Sequence, residues 1–392
     1  MAREYLASVQ TLFGSLGSGD AVVGGVLSGT SGDGIDVVLT RLGVEDSRVV
    51  SCEPLVFEGR PFPAELAPRV RGALDGDDLR AREIALLSRD LGRAFGGAAG
   101  DVARAAGLRL DLLGSHGLTI YHHDGVEDSG PASLQIGDGD HVAECAGCVA
   151  VSDFRQADLA GGGGGAPISV LADDAVFAGV TRPTAVLNLG GMANISWIGR
   201  DTERRAFDTG PAGALLDGFA RELLGKPYDA GGAEAARGRV NEDWLREWMS
   251  HPFFMEPSPK STGRDTFGQA WVAQLLTSAG GAARAADLLR TAVELVARSI
   301  REELGRGLPA WEGPLWVAGG GVHNACLMGA LKGGIPGGAT STAELGVDPD
   351  AREALVFAVL AGRCLLGEAT TRPEATGARS GKILGKISQP GR

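Results

Sequence analysis

The chain has 392 residues, 44% of them apolar and 22% charged, the balance of an ordinary globular protein whose length favours two domains over a single core. Its net charge of −12 argues against nucleic acid or an anionic membrane as partner, because both select clustered Lys and Arg. No stretch approaches the roughly 18 consecutive apolar residues of a membrane span, and five cysteines are an odd, sparse set for a disulfide scaffold, so a cytoplasmic location is expected.

Residues 1–20 carry Arg3 and Glu4 and lack a long apolar run, so they read as an extension or a short helix and not as a signal peptide. An apolar run at 22–28, a glycine-rich turn at 29–34 and a β-rich run at 35–42 then read as strand, turn, strand. Residues 77–106 have helical spacing and 110–113 form a short buried strand. Five glycines in a row, 161–165, read either as a flexible linker or as a ligand-facing loop, since Arg155, Asp158 and Pro167 flank them. Strand, turn, strand recurs at 184–189, 190–191 and 193–198. Helices are expected at 243–249 and 282–303, a strand at 315–318 running into glycines 319–321, and a helix at 324–331. The repeated hairpin, opening each half of the chain, predicts a duplicated α/β fold whose halves present matching loops to one ligand.

Tight glycine turns can cradle phosphate oxygens with consecutive backbone amides. GTSGDGID (29–36) offers such a nest, with the Thr30 and Ser31 hydroxyls beside it and Asp33 placed for a magnesium ion; the plain alternative is an Asp-Gly hairpin. NLGGMAN (188–194) is similar, and VAGGGVHN (317–324) sets three glycines between a strand and a helix, a usual place for a nucleotide. Neither a Walker loop nor a dinucleotide-binding fingerprint is present: GARSGK (377–382) is one residue short and runs into Ile383. Asp208, in AFDTGP, suits a general base or a helix cap. PKSTGRD (259–265) groups Lys260, Ser261, Thr262 and Arg264 in a loop that binds phosphate or sugar or is merely solvated, and His116 is a ligand or a structural histidine. Cys145 and Cys148 have metal spacing, but no second pair completes a zinc set.

In order and spacing, LSGTSGDGID (27–36), GSHGLTIYHH (114–123), LQIGD (134–138), SDFRQADLAGGGGGAP (152–167), LNLGGMANIS (187–196), FDTGP (207–211), PKSTGRDTF (259–267), GGGVHN (319–324) and TGA (376–378) resemble the anhydro-N-acetylmuramic acid kinase family. The resemblance implies an actin-like ATPase (ribonuclease H-like) fold, two duplicated α/β domains with a nucleotide cleft between them. The boundary is expected at 152/153, giving domains 1–152 and 153–392, with the last helix packing back on the first. It implies ATP-dependent opening of a 1,6-anhydro sugar with phosphorylation at O6, giving N-acetylmuramic acid 6-phosphate for cell-wall recycling, with ATP and Mg2+ as cofactors and a small sugar as substrate. The sequence fixes no oligomeric state and is compatible with a homodimer.

Residue by residue, the resemblance makes Asp208 the catalytic base. It assigns the nucleotide to Gly29, Thr30, Ser31, Gly32, Asp33, Gly34, Ile35, Asp36, Gly190, Gly191, Gly319, Gly320, Gly321 and Asn324, with Asp33 also toward Mg2+. The sugar falls to His116, Arg155, Asp158 and Glu353. The family usually has Met or Leu at Gly32, Gln at Leu118 and Gly164, and Gly-Asn at Ala212–Gly213, changes that bear on which sugar is used. Two rival readings follow: a kinase for another anhydro sugar such as levoglucosan, and a non-catalytic ATP-gated sensor on the same fold, which the presence of Asp208 disfavours.

Overall fold

A computed structural model of the chain describes residues 11–29, 32, 34–75, 78–123, 130–200, 203–280, 283–309 and 311–391. The chain divides into two units, one ending at Gly179 and resuming at Ala351, the other Val180–Asp350. The first contains helix α1 (11–17), strands β1 (Val22–Leu27), β2 (Ile35–Glu45) and β3 (Arg48–Arg60), helices α2 (Ala67–Asp75) and α3 (Ala81–Ala105), and β4 (Leu112–His123). It continues with β5 (Ala132–Ile136), α4 (Gly139–Ala146), β6 (Val149–Ser152), α5 (Gln156–Ala160) and α6 (Val170–Val176). The second holds β7 (Thr184–Leu189), β8 (Met192–Ile198), β9 (Arg204–Pro211), α7 (Gly213–Leu224), α8 (Glu242–Trp248), α9 (Arg264–Phe267) and α10 (Gln269–Ala279). Helix α11 (Ala285–Gly307), β10 (Leu315–Ala318), α12 (Ala325–Gly334) and β11 (Ala339–Ser341) complete it. The chain returns to the first unit with α13 (Arg352–Leu365), α14 (Pro373–Thr376) and β12 (Lys386–Ser388).

The two sheets repeat each other. In the first the order is β12-β6-β4-β1-β2-β3, with β5 on β4; in the second it is β11-β10-β7-β8-β9. Each has an antiparallel meander of three strands, whose first member pairs on its other side with a parallel strand that is flanked by a second parallel one. A parallel pair needs a crossover, and the long helices α3 and α11 supply it at equivalent points of the two units. This twofold order is the duplicated α/β architecture that the repeated hairpin predicts. Among the described residues no helix is long and apolar enough to cross a membrane.

Strand β1 is buried along its whole length and packs with both α3 and α13, as a strand covered by helices should. Helix α13 rests directly on the sheet because Gly25 and Gly114 lack side chains. A Cβ there would come within 1.8 Å of the Ala354 carbonyl oxygen and 2.1 Å of that of Phe357. Two ion pairs, the first fully buried, tie α13 to α6: Arg352 Nε to Asp173 Oδ1 at 3.0 Å, and Arg363 Nη2 to Asp174 Oδ1 at 2.9 Å.

The division of the chain departs from the expected boundary at 152/153. Residues 153–179 remain in the first unit, held by pairs between α6 and α13 that no local pattern announces; 351–392 also belong to it, the unit on which the last helix is expected to pack. The strand expected at 110–113 is also longer: β4 runs to His123 because β5 pairs with its second half.

Candidate active site

In the second unit, Asp208 lies on β9 opposite Asn194 of β8 and is 8% exposed. Its Oδ2 accepts from the Thr262 amide at 2.8 Å and from the Ser261 hydroxyl at 3.3 Å, while its own amide donates to the Lys260 carbonyl at 2.9 Å. The helix-cap reading of Asp208 fails. The amides of Ala212, Gly213 and Ala214 at the start of α7 go to the Gly190 and Gly191 carbonyls, at 2.9 to 3.0 Å, and no side chain caps the helix. Lys260 is spent inside the fold. Its Nζ donates to Glu303 Oε1 at 2.7 Å and to the Phe253 and Glu256 carbonyls at 2.8 and 3.2 Å, and it sits 4.4 Å above the Phe253 ring. The charge that the sequence offers to a phosphate or sugar therefore belongs to a buried pair.

Glycines 319–321 follow β10 and lie against the end of β7. A Cβ on Gly319, whose φ is +83°, would meet the Leu189 carbonyl oxygen at 2.8 Å, and one on Gly321 would meet Leu189 Cβ at 2.5 Å. On Gly320 it would meet nothing within 4 Å. Gly320 is thus the point where bare backbone faces open space, which suits the close approach of a phosphate-bearing ligand. Asn324 closes this turn by capping α12, its Oδ1 accepting from the Leu327 amide at 3.0 Å.

In the first unit, His116 of β4 stacks on Phe357 of α13 with ring centroids 4.4 Å apart. Arg155 donates from Nε to His116 Nε2 at 3.1 Å and from Nη1 to the Gly165 carbonyl at 2.8 Å. With Nε2 accepting, the ring proton sits on Nδ1. Burial, and then the Arg155 charge, hold the imidazole well below its ordinary range, against a smaller opposing pull from the Gly117 carbonyl. Asp158 is 0% exposed, and both oxygens are used within the chain: Oδ2 accepts from the Gly165 amide at 2.8 Å and Oδ1 from the Thr376 hydroxyl at 2.6 Å. Glycines 161–165 are therefore a folded loop wrapped on Asp158, not a linker. Burial raises the Asp158 carboxyl, with Thr376, the Gly165 amide and Arg155 pulling it back. Glu353 stands one helical turn before Phe357 on α13.

The turn before β2 is only partly described. Gly32 has φ +65° and its amide donates to the Gly29 carbonyl at 3.0 Å, while Gly34 packs on the Arg60 carbonyl. Thr30, Ser31 and Asp33 lie outside the described residues. Ile35 fills the core and Asp36 pairs across to Gly59, so these two shape the turn as the start of β2. Of the departures from the family pattern, Leu118 is a core residue, and Gly164, Ala212 and Gly213 donate through backbone amides to Thr376, Gly191 and Gly190. Among the described residues no group of three His, Cys, Asp or Glu side chains could hold a metal.

Sequence reasoning missed Phe357 and the Thr376 hydroxyl. Neither lies near its partner in sequence, and Thr376 stood only as part of a short TGA match.

A family model described as Anhydro-N-acetylmuramic acid kinase matches residues 21–390. Among curated relatives carrying the same name, one from Xanthomonas oryzae pv. oryzae (strain MAFF 311018) is 40% identical over 93% of this chain and 96% of its own length. One from Gloeobacter violaceus is 35% identical over 94% and 98%, and one from Pseudomonas putida is 39% identical over 93% and 98%.

Proposed function

The chain belongs to the anhydro-N-acetylmuramic acid kinase family, and we propose that it hydrolytically opens 1,6-anhydro-N-acetylmuramic acid and phosphorylates its O6, giving N-acetylmuramic acid 6-phosphate and ADP. A kinase of this family uses ATP. The observation that carries the reading is Asp208: a largely buried carboxylate, not a helix cap, held by a backbone amide and a hydroxyl.

In the reaction, a water oxygen bonds to C1 of the sugar, the C1–O6 bond breaks, and O6 takes up the phosphoryl group. Asp208 accepts the proton that the water loses. The donors from Thr262 and Ser261 fix the carboxylate's orientation, so that no reorganisation is needed as the proton arrives. Bound Mg-ATP would supply the phosphoryl group and its charge compensation, and Gly320 would give room for its phosphates. His116 and Arg155 serve the sugar as hydrogen-bond donors: the imidazole is neutral with its Nε2 engaged by Arg155, and the guanidinium donates. Consumption of ATP accords with a cytoplasmic site of action.

A coupled ADP-release assay tests this. ADP release that depends on 1,6-anhydro-N-acetylmuramic acid and is much slower with levoglucosan is expected. Equal or faster turnover of levoglucosan would transfer the function to another anhydro sugar, and sugar-independent or absent turnover would remove it.

A further inference from the structure

We propose that Thr376 and Asp158 form a positioning pair that sets Arg155, and through it His116, by folding the glycine loop 161–165. The inference deepens the sugar-binding reading of Arg155 and His116 and rests on it for its kinetic arm alone.

The links are continuous. Thr376 Oγ1 donates to Asp158 Oδ1 at 2.6 Å, and its carbonyl accepts the Gly164 amide at 2.8 Å, so one residue near the C-terminus grips the loop twice. Asp158 Oδ2 accepts the Gly165 amide, and the Gly165 carbonyl then accepts Arg155 Nη1, each at 2.8 Å. Arg155 Nε reaches His116 Nε2 at 3.1 Å. The packing permits little else: a Cβ on Gly163 would lie 2.2 Å from Asp158 Oδ2.

With no exposed surface and both carboxylate oxygens engaged within the chain, Asp158 acts through what it holds. A buried carboxylate oxygen that loses its donor carries a desolvation penalty. Burial already raises this carboxyl, so loss of the Thr376 hydroxyl is relieved by rotating or protonating Asp158. Either response loosens its hold on Gly165, and the Gly165 carbonyl no longer fixes the Arg155 fork.

Thr376→Val keeps the shape and removes the hydroxyl; Thr376→Ser keeps the hydroxyl. In the ligand-free protein, nitrogen-15 NMR signals of the Arg155 Nε–H and the His116 ring should shift or broaden in Thr376→Val and return to their wild-type positions in Thr376→Ser. The sugar KM should rise about tenfold in Thr376→Val, the scale of one hydrogen bond to a charged group, with ATP KM unchanged and recovery in the serine variant. Should Thr376→Val fail to fold, Asp158→Ala against Asp158→Asn repeats the comparison, because asparagine can accept from Gly165 and donate to Thr376. Wild-type NMR signals in Thr376→Val, or a wild-type sugar KM despite shifted signals, overturn the proposal. If the wild-type enzyme turns over no anhydro sugar, the function falls, and the NMR comparison still decides the positioning pair.

Discussion

Replacing Lys260 by Met separates a structural lysine from a phosphate-binding one. The side chains of Lys260 and Glu303 are 4% and 2% exposed, and removing one partner of so buried a pair costs about 3–5 kcal/mol. The lower end applies, near 3 kcal/mol, because Glu303 keeps the Ser258 hydroxyl at 2.7 Å and Arg306 at 3.2 Å. In a unit of roughly 170 residues, 1 kcal/mol moves the melting temperature by about 2–4 °C, so a drop of roughly 6–12 °C is expected. Calorimetry of Lys260→Met and of the double variant Lys260→Met/Glu303→Leu reads it directly. The double variant should recover most of the loss, since it leaves no lone charge. An unmoved melting temperature combined with collapsed turnover would refute the reasoning and return Lys260 to the ligand.

Gly320→Val should fold normally and lose ATP affinity, whereas Gly319→Val should lose stability, because only the first position is open; calorimetry with nucleotide titration distinguishes them. At pH 8, iodoacetamide should modify the exposed Cys145 and spare Cys148, whose burial pushes its thiol to about 12; at that value only about one thiol in ten thousand is thiolate. Mass mapping that finds Cys148 modified first would contradict the packing. His116 stays neutral in the fold, while an unfolded histidine titrates near 6.5. The stability it contributes is therefore present above that pH and lost as the pH falls through it, by up to about 1.4 kcal/mol per pH unit. His116→Gln should show a shallower loss between pH 6.5 and 4.5 in urea melts, and equal slopes would count against a neutral, buried ring.

Local pattern made much of the fold legible. Strands 184–189 and 315–318 match β7 and β10, since short apolar runs bounded by glycine turns have one good solution. The recurrence of that pattern revealed the duplication, because each copy is a hairpin closed by its own turn. What stayed hidden depends on long-range contact. Asp173 and Asp174 pair with Arg352 and Arg363, nearly 200 residues later, and these long-range pairs tie α6 to α13 within the first unit. The site divides in the same way. Asp208 stands out beside Gly210 and Pro211, but whether it caps a helix depends on where the α7 amides go, which only the fold decides. Lys260 misleads because sequence shows a charge and not its partner; Glu303 lies 43 residues away on α11.

The most direct test of the account is the turnover of Asp208→Asn with 1,6-anhydro-N-acetylmuramic acid and ATP. Asparagine keeps the size of the side chain and can still accept from the Thr262 amide, so only basicity is lost. A positioned base contributes about 10²–10⁴-fold in rate, and kcat should fall by at least two orders of magnitude while ATP affinity and melting temperature stay near wild type. Near-wild-type kcat in a folded Asp208→Asn variant would contradict the account and pass the role of base to another carboxylate, Glu353 first.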